Sequence, residues 1–412
     1  MTTKNITSAD FVIIGAGIVG LTIARELKQR SPAARIIVLE KEPQLGLHAS
    51  GRNSGVLHSG IYYPENSLKA KVCAAGAKAM AEYCDNFGLP INRTGKVIIP
   101  TKETDESQLQ LLYQRGINNG AKVELIDAQQ LKEIEPMAYT ATGQALYSPD
   151  TAVIDSKAIL LHLSQTLQQQ NVVINFSTAL QKVDKIKKII YTSSGKFHYG
   201  HAFNTAGLYA DKVAKAFGAA KNYTMLPFKG IYYRLDPQCN IKINQLIYPV
   251  PDLNVPFLGV HFTKLVNGEV MAGPTAVPAL GRENYYGVKG INPSETMNIS
   301  CNLLRQYYEN KQGFRTFAHQ EAGRFLKKNF AAAARALVPT LKPEFLLVSQ
   351  KVGIRAQLLD LQKRELIMDF LIEQQANDTH VLNAVSPAFT CSLSFAKLVV
   401  DRANYPAHPV VT

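Results

Sequence analysis

Gly15, Gly17 and Gly20, in the run FVIIGAGIVGLTIARELKQR, have the spacing that turns a chain sharply off a strand and starts a helix against a bound pyrophosphate. Gly15 permits the turn, Gly17 lets bare backbone approach the phosphates, and Gly20 lets the helix pack closely on the strand. Ala16 and Ile18, between them, bring their backbone amides to the same place. A second apolar strand, Ile36 to Leu39, ends at Glu40, twenty residues after Gly20. A carboxylate there accepts hydrogen bonds from ribose hydroxyls and repels a 2′-phosphate, which disfavours NADP. Lys41, next to it, is assigned to the same site. The chemistry is adenine-dinucleotide binding.

A second small-residue run, HASGRNSGVLHSG from His48 to Gly60, decides which dinucleotide. A nicotinamide domain would proceed from the acid to another strand and helix. Here the chain enters a loop in which only Val56 and Leu57 are apolar. Ser50, Gly51, Arg52, Asn53, Ser54 and Gly55 can lay backbone amides against a large planar ring, as a flavin requires. On composition alone the same loop could be an ordinary surface connection. With the preceding fingerprint it reads as FAD rather than NAD.

The elements that must hold these residues follow from periodicity. Phe11 to Ile14 reads as a strand and Ile18 to Leu27 as a helix; further helices are expected over 68–87, 103–120 and 156–170. Strands are expected at Val172 to Phe176, Ala179 to Val183 and Lys188 to Tyr191. Val183 is assigned to the cofactor site. A strand ending in Thr205, Ala206 and Gly207 suits the second place where a nucleotide-binding sheet meets its ligand. From Leu226 to Ala272 aromatic and β-branched residues, Pro and Gly alternate, which reads as an antiparallel sheet. The fold class is therefore α/β, with a discontinuous FAD-binding domain (1–88, 145–222 and 335–412) and a substrate domain (89–144 and 223–334).

With 412 residues, 46% hydrophobic and 19% charged, the chain can bury a large core and is expected to be globular throughout. No stretch approaches the roughly twenty apolar residues of a membrane span, and MTTKNITSAD lacks an apolar leader core; a cytoplasmic location is expected. The five cysteines are scattered and form no C-x-x-C pair, which argues against a disulfide framework or a zinc site; no metal is expected. A net charge of +13 suits an anionic substrate, an anionic lipid surface or simply a basic exterior. No nucleic-acid motif accompanies it, so an RNA-associated flavoprotein ranks low. Phe314, Phe317, Phe325 and Phe330, interleaved with Arg315, Arg324, Lys327 and Lys328, could form an interfacial helix face on the inner membrane, or belong to the core.

Six segments carry a resemblance that spans nearly the whole chain: HASGRNSGVLHSGIYYPENSLKAKVC, SPDTAVID, FKGIYYRL, LIYPVPDLNVPFLGVHFTK, KVGIRAQL and VLNAVSPAFTCSLSFAK. In them the chain resembles the L-2-hydroxyglutarate oxidase or dehydrogenase group of the glycine oxidase and D-amino-acid oxidase superfamily. LHSGIYY and the YPVPD to GVHFTK run are the specific part. The resemblance implies a D-amino-acid oxidase-like fold: a Rossmann-like FAD domain with a mainly antiparallel substrate sheet. It also implies non-covalent FAD, oxidation of (S)-2-hydroxyglutarate to 2-oxoglutarate, and electrons passed to a quinone or oxygen. Ser386, Pro387, Ala388, Phe389 and Thr390 are then the backbone contacts of the flavin tail. Phe389 and Cys391 are bulkier than the family pattern, which puts those contacts in doubt.

The implied reaction needs a group to take the hydroxyl proton and cations for two carboxylates. His58, in the flavin-facing loop, is the first candidate base; its alternative is a hydrogen bond to a carbonyl or the flavin edge. His261 in GVHFTK is the second, with a structural role equally open. Arg355 in GIRAQ is the candidate carboxylate clamp, because a guanidinium meets a carboxylate in bidentate fashion. Lys229 could meet the distal carboxylate or tune the flavin. Arg52 and Lys69 are weaker candidates, and Arg52 could instead touch the flavin phosphates. Tyr62, Tyr232 and Tyr233 are possible hydroxyl donors. An amino-acid or secondary-amine oxidase of the glycine oxidase type is the alternative function, since only the pocket would differ.

Overall fold

The computed structural model describes residues 6–403 and 405. The amino end read for a leader (1–5) and the last residues of the third FAD-domain stretch lie outside the described residues. At the centre of one sheet runs the strand Ile6–Ile14, pairing in parallel with Lys196–Asn204 on one side and Ile36–Leu39 on the other. Val173–Asn175 continues this parallel array beyond Ile36–Leu39, and Asp378–Asn383 does so beside Lys196–Asn204. Residues 9–14 are all buried, as a strand covered on both faces must be, which is why the sequence reads as an apolar run. Helices Ile18–Arg30, Ser156–Gln169 and Ser392–Arg402 supply the apolar residues packed with Phe11, Ile13 and Val38 in one core. The chain departs to opposite sides of the first strand, so a crevice opens at the carboxyl ends of Ile6–Ile14 and Lys196–Asn204. That is where a doubly wound sheet receives its ligand.

The second sheet has ten strands. Its spine is the antiparallel pair Tyr223–Leu235 and Leu346–Asp360, paired from Tyr223 opposite Asp360 to Leu235 opposite Leu346 with one register shift between Ile231 and Tyr233. Leu246–Pro249 against Lys96–Ile99 is a parallel exception. Sheet membership departs from the expected boundaries at 145 and 335. Gln144–Ser148 pairs with Lys96–Ile99, and Leu346–Asp360 commits its hydrogen bonds to Tyr223–Leu235, so both belong to the second sheet. The chain returns to the first sheet only with Leu371–Gln374 and Asp378–Asn383. Strand partners this far apart in the chain leave no local mark on the sequence.

A three-stranded ribbon joins the layers: Val56–Leu57 and Ile91–Asn92 both pair with Ala152–Ile154. It fixes the loop that leads to His58. The basic, Phe-rich segment forms two helices, Phe314–Arg324 and Lys327–Arg335, but not an apolar outer face. Phe314 and Phe317 pack with Phe228 and Phe257, and Phe330 packs under the second sheet; of the four only Phe325 is exposed. The aromatic spacing served the core. Among the described residues no helix is long and apolar enough to cross a membrane.

Candidate active site

One cavity of about 270 Å³ runs between the sheets. Its nucleotide end is built from backbone. Gly15 has φ +109°, which L side chains rarely adopt, and a Cβ on Gly20 would stand 2.0 Å from the Gly15 carbonyl oxygen. The Ile18 amide donates to Ser50 Oγ at 3.0 Å, joining fingerprint and loop. Glu40 accepts from the Ala16 and Glu42 amides, both at 2.9 Å, so it shapes the turn and keeps lone pairs for a further donor. Asn53 closes the loop on itself, donating to the Ser50 carbonyl and accepting from the Gly55 amide. Arg52 donates to the carbonyls of Leu47 and Val352 and lies over the Tyr285 ring, knitting the loop to the second sheet.

The reactive end is built from side chains. His58 follows Leu57 directly and is buried, with its amide donating to Thr390 Oγ1 at 3.2 Å; Thr390 in turn donates to the Val56 carbonyl. This ties the loop to 386–390, all five of whose residues line the cavity, Phe389 included. Cys391 is fully buried, packed where a Cβ on Gly76 would come within 2.4 Å of its Cα. Nδ1 of His58 has no hydrogen-bond partner among the described residues. Burial chiefly, then the positive charge of Lys96 and the neighbouring His261 and Arg355, push its pKa down to about 3.

His261 opens the strand His261–Lys264, stacks on Tyr248 with ring centroids 3.9 Å apart, and places Nδ1 2.9 Å from the Gly259 carbonyl. A carbonyl only accepts, so Nδ1 carries the proton and Nε2 of the neutral ring keeps its lone pair. Burial pushes this imidazole down to about 3 as well, against the Gly259 carbonyl and with help from Arg355 and Lys96. Arg355 is opposite Phe228 in the spine pair. Its guanidinium lies 4.9 Å from the Phe257 ring centroid and donates to the Pro256 carbonyl; among the described residues no carboxylate pairs with it. Burial lowers its pKa.

Of the residues singled out in the sequence, Gly17, Ile18, Ser50, Arg52 to Gly55, Gly207, His58, His261, Arg355, Tyr232 and 386–390 meet around this cavity. Gly15, Ala16, Gly20, Glu40, Gly51 and Ala206 stand behind its wall and shape the turns. Others do not come to it. Val183 pairs with Ile190 in an edge hairpin of the first sheet. Lys41 binds Glu42 and Glu283, the latter at 2.6 Å. Lys229 donates to Asn284 Oδ1 at 3.2 Å, because strand alternation turns Phe228 and Gly230 to the cavity and Lys229 away. Tyr233 likewise packs on Phe330 under the second sheet, and Lys69 donates to the Met368 carbonyl. Tyr248, Glu321 and Lys96 do not stand out in the sequence as site residues. The first two line the cavity, and the last is a lysine in the otherwise apolar strand KVII, the signal that could have found it.

The family model for FAD dependent oxidoreductases matches residues 10–402. An L-2-hydroxyglutarate dehydrogenase of Indibacter alkaliphilus is 37% identical over 95% of this chain and 98% of its own length. The human mitochondrial L-2-hydroxyglutarate dehydrogenase is 34% identical over 97% of this chain and 89% of its own. Among solved structures, dithionite-reduced L-α-glycerophosphate oxidase from Mycoplasma pneumoniae, with FAD bound, superposes with a TM-score of 0.74 at 21% identity, covering 96% of this chain and 94% of that one. Glycine oxidase from Geobacillus kaustophilus gives 0.69 at 15% over the same shares. The glycine cradle at one end and the small-residue wall of Ser50, Gly55, Gly353 and Ala388 at the other fit a flavin dinucleotide. A Cβ on Gly353 would stand 2.9 Å from the Arg52 carbonyl oxygen, leaving no room for a larger residue there.

Proposed function

This chain belongs to the FAD-dependent oxidoreductases and, within them, to the L-2-hydroxyglutarate dehydrogenases, and on that footing we propose how its cavity works. The protein is a flavoenzyme that oxidises (S)-2-hydroxyglutarate to 2-oxoglutarate. Bound FAD supplies the two-electron acceptor for the C2 hydride. Gly15 to Ile18 and Glu40 hold the ADP half; Ser50 to Gly55, Gly207 and Ser386 to Thr390 line the rest. Arg355 takes a substrate carboxylate in its fork, which fixes the C2 carbon between the flavin wall and the histidines. As the C2–H bond breaks and C2=O forms, the hydroxyl proton passes to a neutral imidazole. His58 is that base, in the flavin-lining loop with an unpartnered ring nitrogen, and His261 Nε2 is its nearest alternative.

The observation that carries this reading is the half-buried Arg355 guanidinium, which faces the cavity and, among the described residues, has only a carbonyl and an aromatic ring as protein partners. Such a group awaits an anion from outside the protein. Anaerobic mixing of the FAD-loaded enzyme with (S)-2-hydroxyglutarate is expected to bleach the flavin absorbance; bleaching by glycine or sarcosine instead would select the amine-oxidase alternative. The acceptor is a quinone or oxygen. The enzyme works in the cytoplasm, and its contact with anionic membrane narrows to the exposed Phe325 and Leu326 beside Lys327 and Lys328. Liposome sedimentation without salt-sensitive binding would remove that contact.

A further inference from the structure

Lys96 opens the strand Lys96–Ile99 and is wholly buried, and its ammonium has no hydrogen-bond partner among the described residues. Its nitrogen lies 5.0 Å from the Tyr62 ring centroid and 5.6 Å from that of Tyr248. Tyr248 forms the cavity wall and stacks on His261, so the ammonium stands one aromatic layer behind the site. Among the described residues nothing facing it is negative. Burial pushes the Cys73 thiol up to about 12 and raises the Tyr62 and Tyr248 phenols, which leaves all three neutral. His58 and His261, the other titratable groups near it, are held neutral too.

A buried cation without a counter-ion costs stability, and an apolar side chain of similar volume would serve the core at least as well. Its presence there points to a role outside the fold. The buried charges around the cavity then sum in one direction. Glu321, in the cavity wall, is neutralised by Arg324, and Lys69 faces Asp369. Arg52, at the loop end, is held by the carbonyls of Leu47 and Val352; beside the histidines Arg355 and Lys96 remain, each without a protein anion among the described residues. Two uncompensated positive charges match a dianion.

We propose that Lys96 is the specificity-determining charge for a second carboxylate: seated behind Tyr62 and Tyr248, its ammonium supplies the positive charge that makes the cavity select dicarboxylates over monocarboxylates. This rests on the reading of the cavity as a 2-hydroxy-dicarboxylate site. The interaction is through space across a layer of low polarity, where a charge several ångströms away still changes affinity. Burial, partly opposed by Cys73, brings the Lys96 pKa down to about 8, so the charge is present at neutral pH and fades above it.

The test uses non-reactive acids on the FAD-loaded enzyme, so that it does not depend on turnover. Isothermal titration compares glutarate with butyrate in the parent enzyme and in Lys96→Met and Lys96→Gln. The expected result is that glutarate affinity falls about tenfold in both variants while butyrate changes less than twofold, with flavin content and Tm unchanged or higher. In the parent enzyme glutarate binding is expected to weaken as pH rises past about 8, and in Lys96→Met this step is absent. Equal losses for both acids, an unmoved glutarate affinity, or a fall in Tm and flavin content in both variants would overturn the proposal. If the parent enzyme binds glutarate but (S)-2-hydroxyglutarate does not bleach it, the functional reading fails while the role of Lys96 in selecting dianions stands.

Discussion

Two arginines are provisioned in opposite ways. Arg282, in the corner beside Tyr209, is held by Asp211 in a two-pronged contact of 2.5 and 2.9 Å and by Glu295 at 2.8 Å. Arg355, in the cavity wall, has no carboxylate at all among the described residues. Arg282 is buried and its charge is offset by the protein, whereas half-buried Arg355 is left without an anion. A charge that is fully paired inside the fold does structural work; one that is left unpaired beside a cavity is there for a ligand.

The contrast predicts opposite failures. Arg355→Met should lower kcat/KM for (S)-2-hydroxyglutarate about a thousandfold with Tm unchanged or raised, as steady-state rates and calorimetry will read. Arg355→Lys should raise KM and lower kcat together, since a point charge loses the fork. Arg282→Met should do the reverse, costing about 3–5 kcal/mol of stability by stranding Asp211 while the folded fraction keeps its kcat/KM within about twofold. His58→Ala should slow flavin reduction about a hundredfold in rapid mixing while FAD binding holds. A retained reduction rate would move the base to His261.

Buried neutral histidines set the acid stability. His58 and His261 are held down to about 3 and His201 to about 4, all mainly by burial, so they stay neutral in the folded state. Below pH 6.5 the unfolded chain binds protons that the folded chain refuses. Stability should therefore fall from about pH 6.5 towards 4, by roughly 1.4 kcal/mol per pH unit for each such histidine. A Tm that holds constant over that range would show that these rings protonate in place. The smallest effect is expected for Lys229→Ala, whose side chain faces Asn284: kcat/KM should change less than about twofold. A large loss would put Lys229 back among the substrate contacts.

The two ends of the cavity were unequally legible. Gly15, Gly17, Gly20 and Glu40 speak through spacing, because a turn, a helix start and a strand end are local events. The loop from Ser50 to His58 was legible for the same reason, by its small residues. The substrate end is assembled from strands far apart in the chain: Arg355 gains its place from pairing opposite Phe228, and the side of the strand that Lys229 occupies is fixed by which neighbours the sheet buries. Lys229 and Arg355 look equally eligible as sequence. Lys96 went unnoticed because a lysine at the head of a strand ordinarily lies in water, and only the packing of Tyr62 and Tyr248 over it shows otherwise. The Phe-rich helices failed in the opposite sense, since helical spacing of aromatics does not say whether the face is turned in or out.

The most direct measurement is a crystal structure of the FAD-loaded enzyme with 2-oxoglutarate bound. One carboxylate is expected in bidentate contact with Arg355, and the keto oxygen within hydrogen-bond reach of a ring nitrogen of His58 or His261. A product carboxylate held instead by Lys229, or Arg355 left on the Pro256 carbonyl with no anion before it, would contradict this expectation.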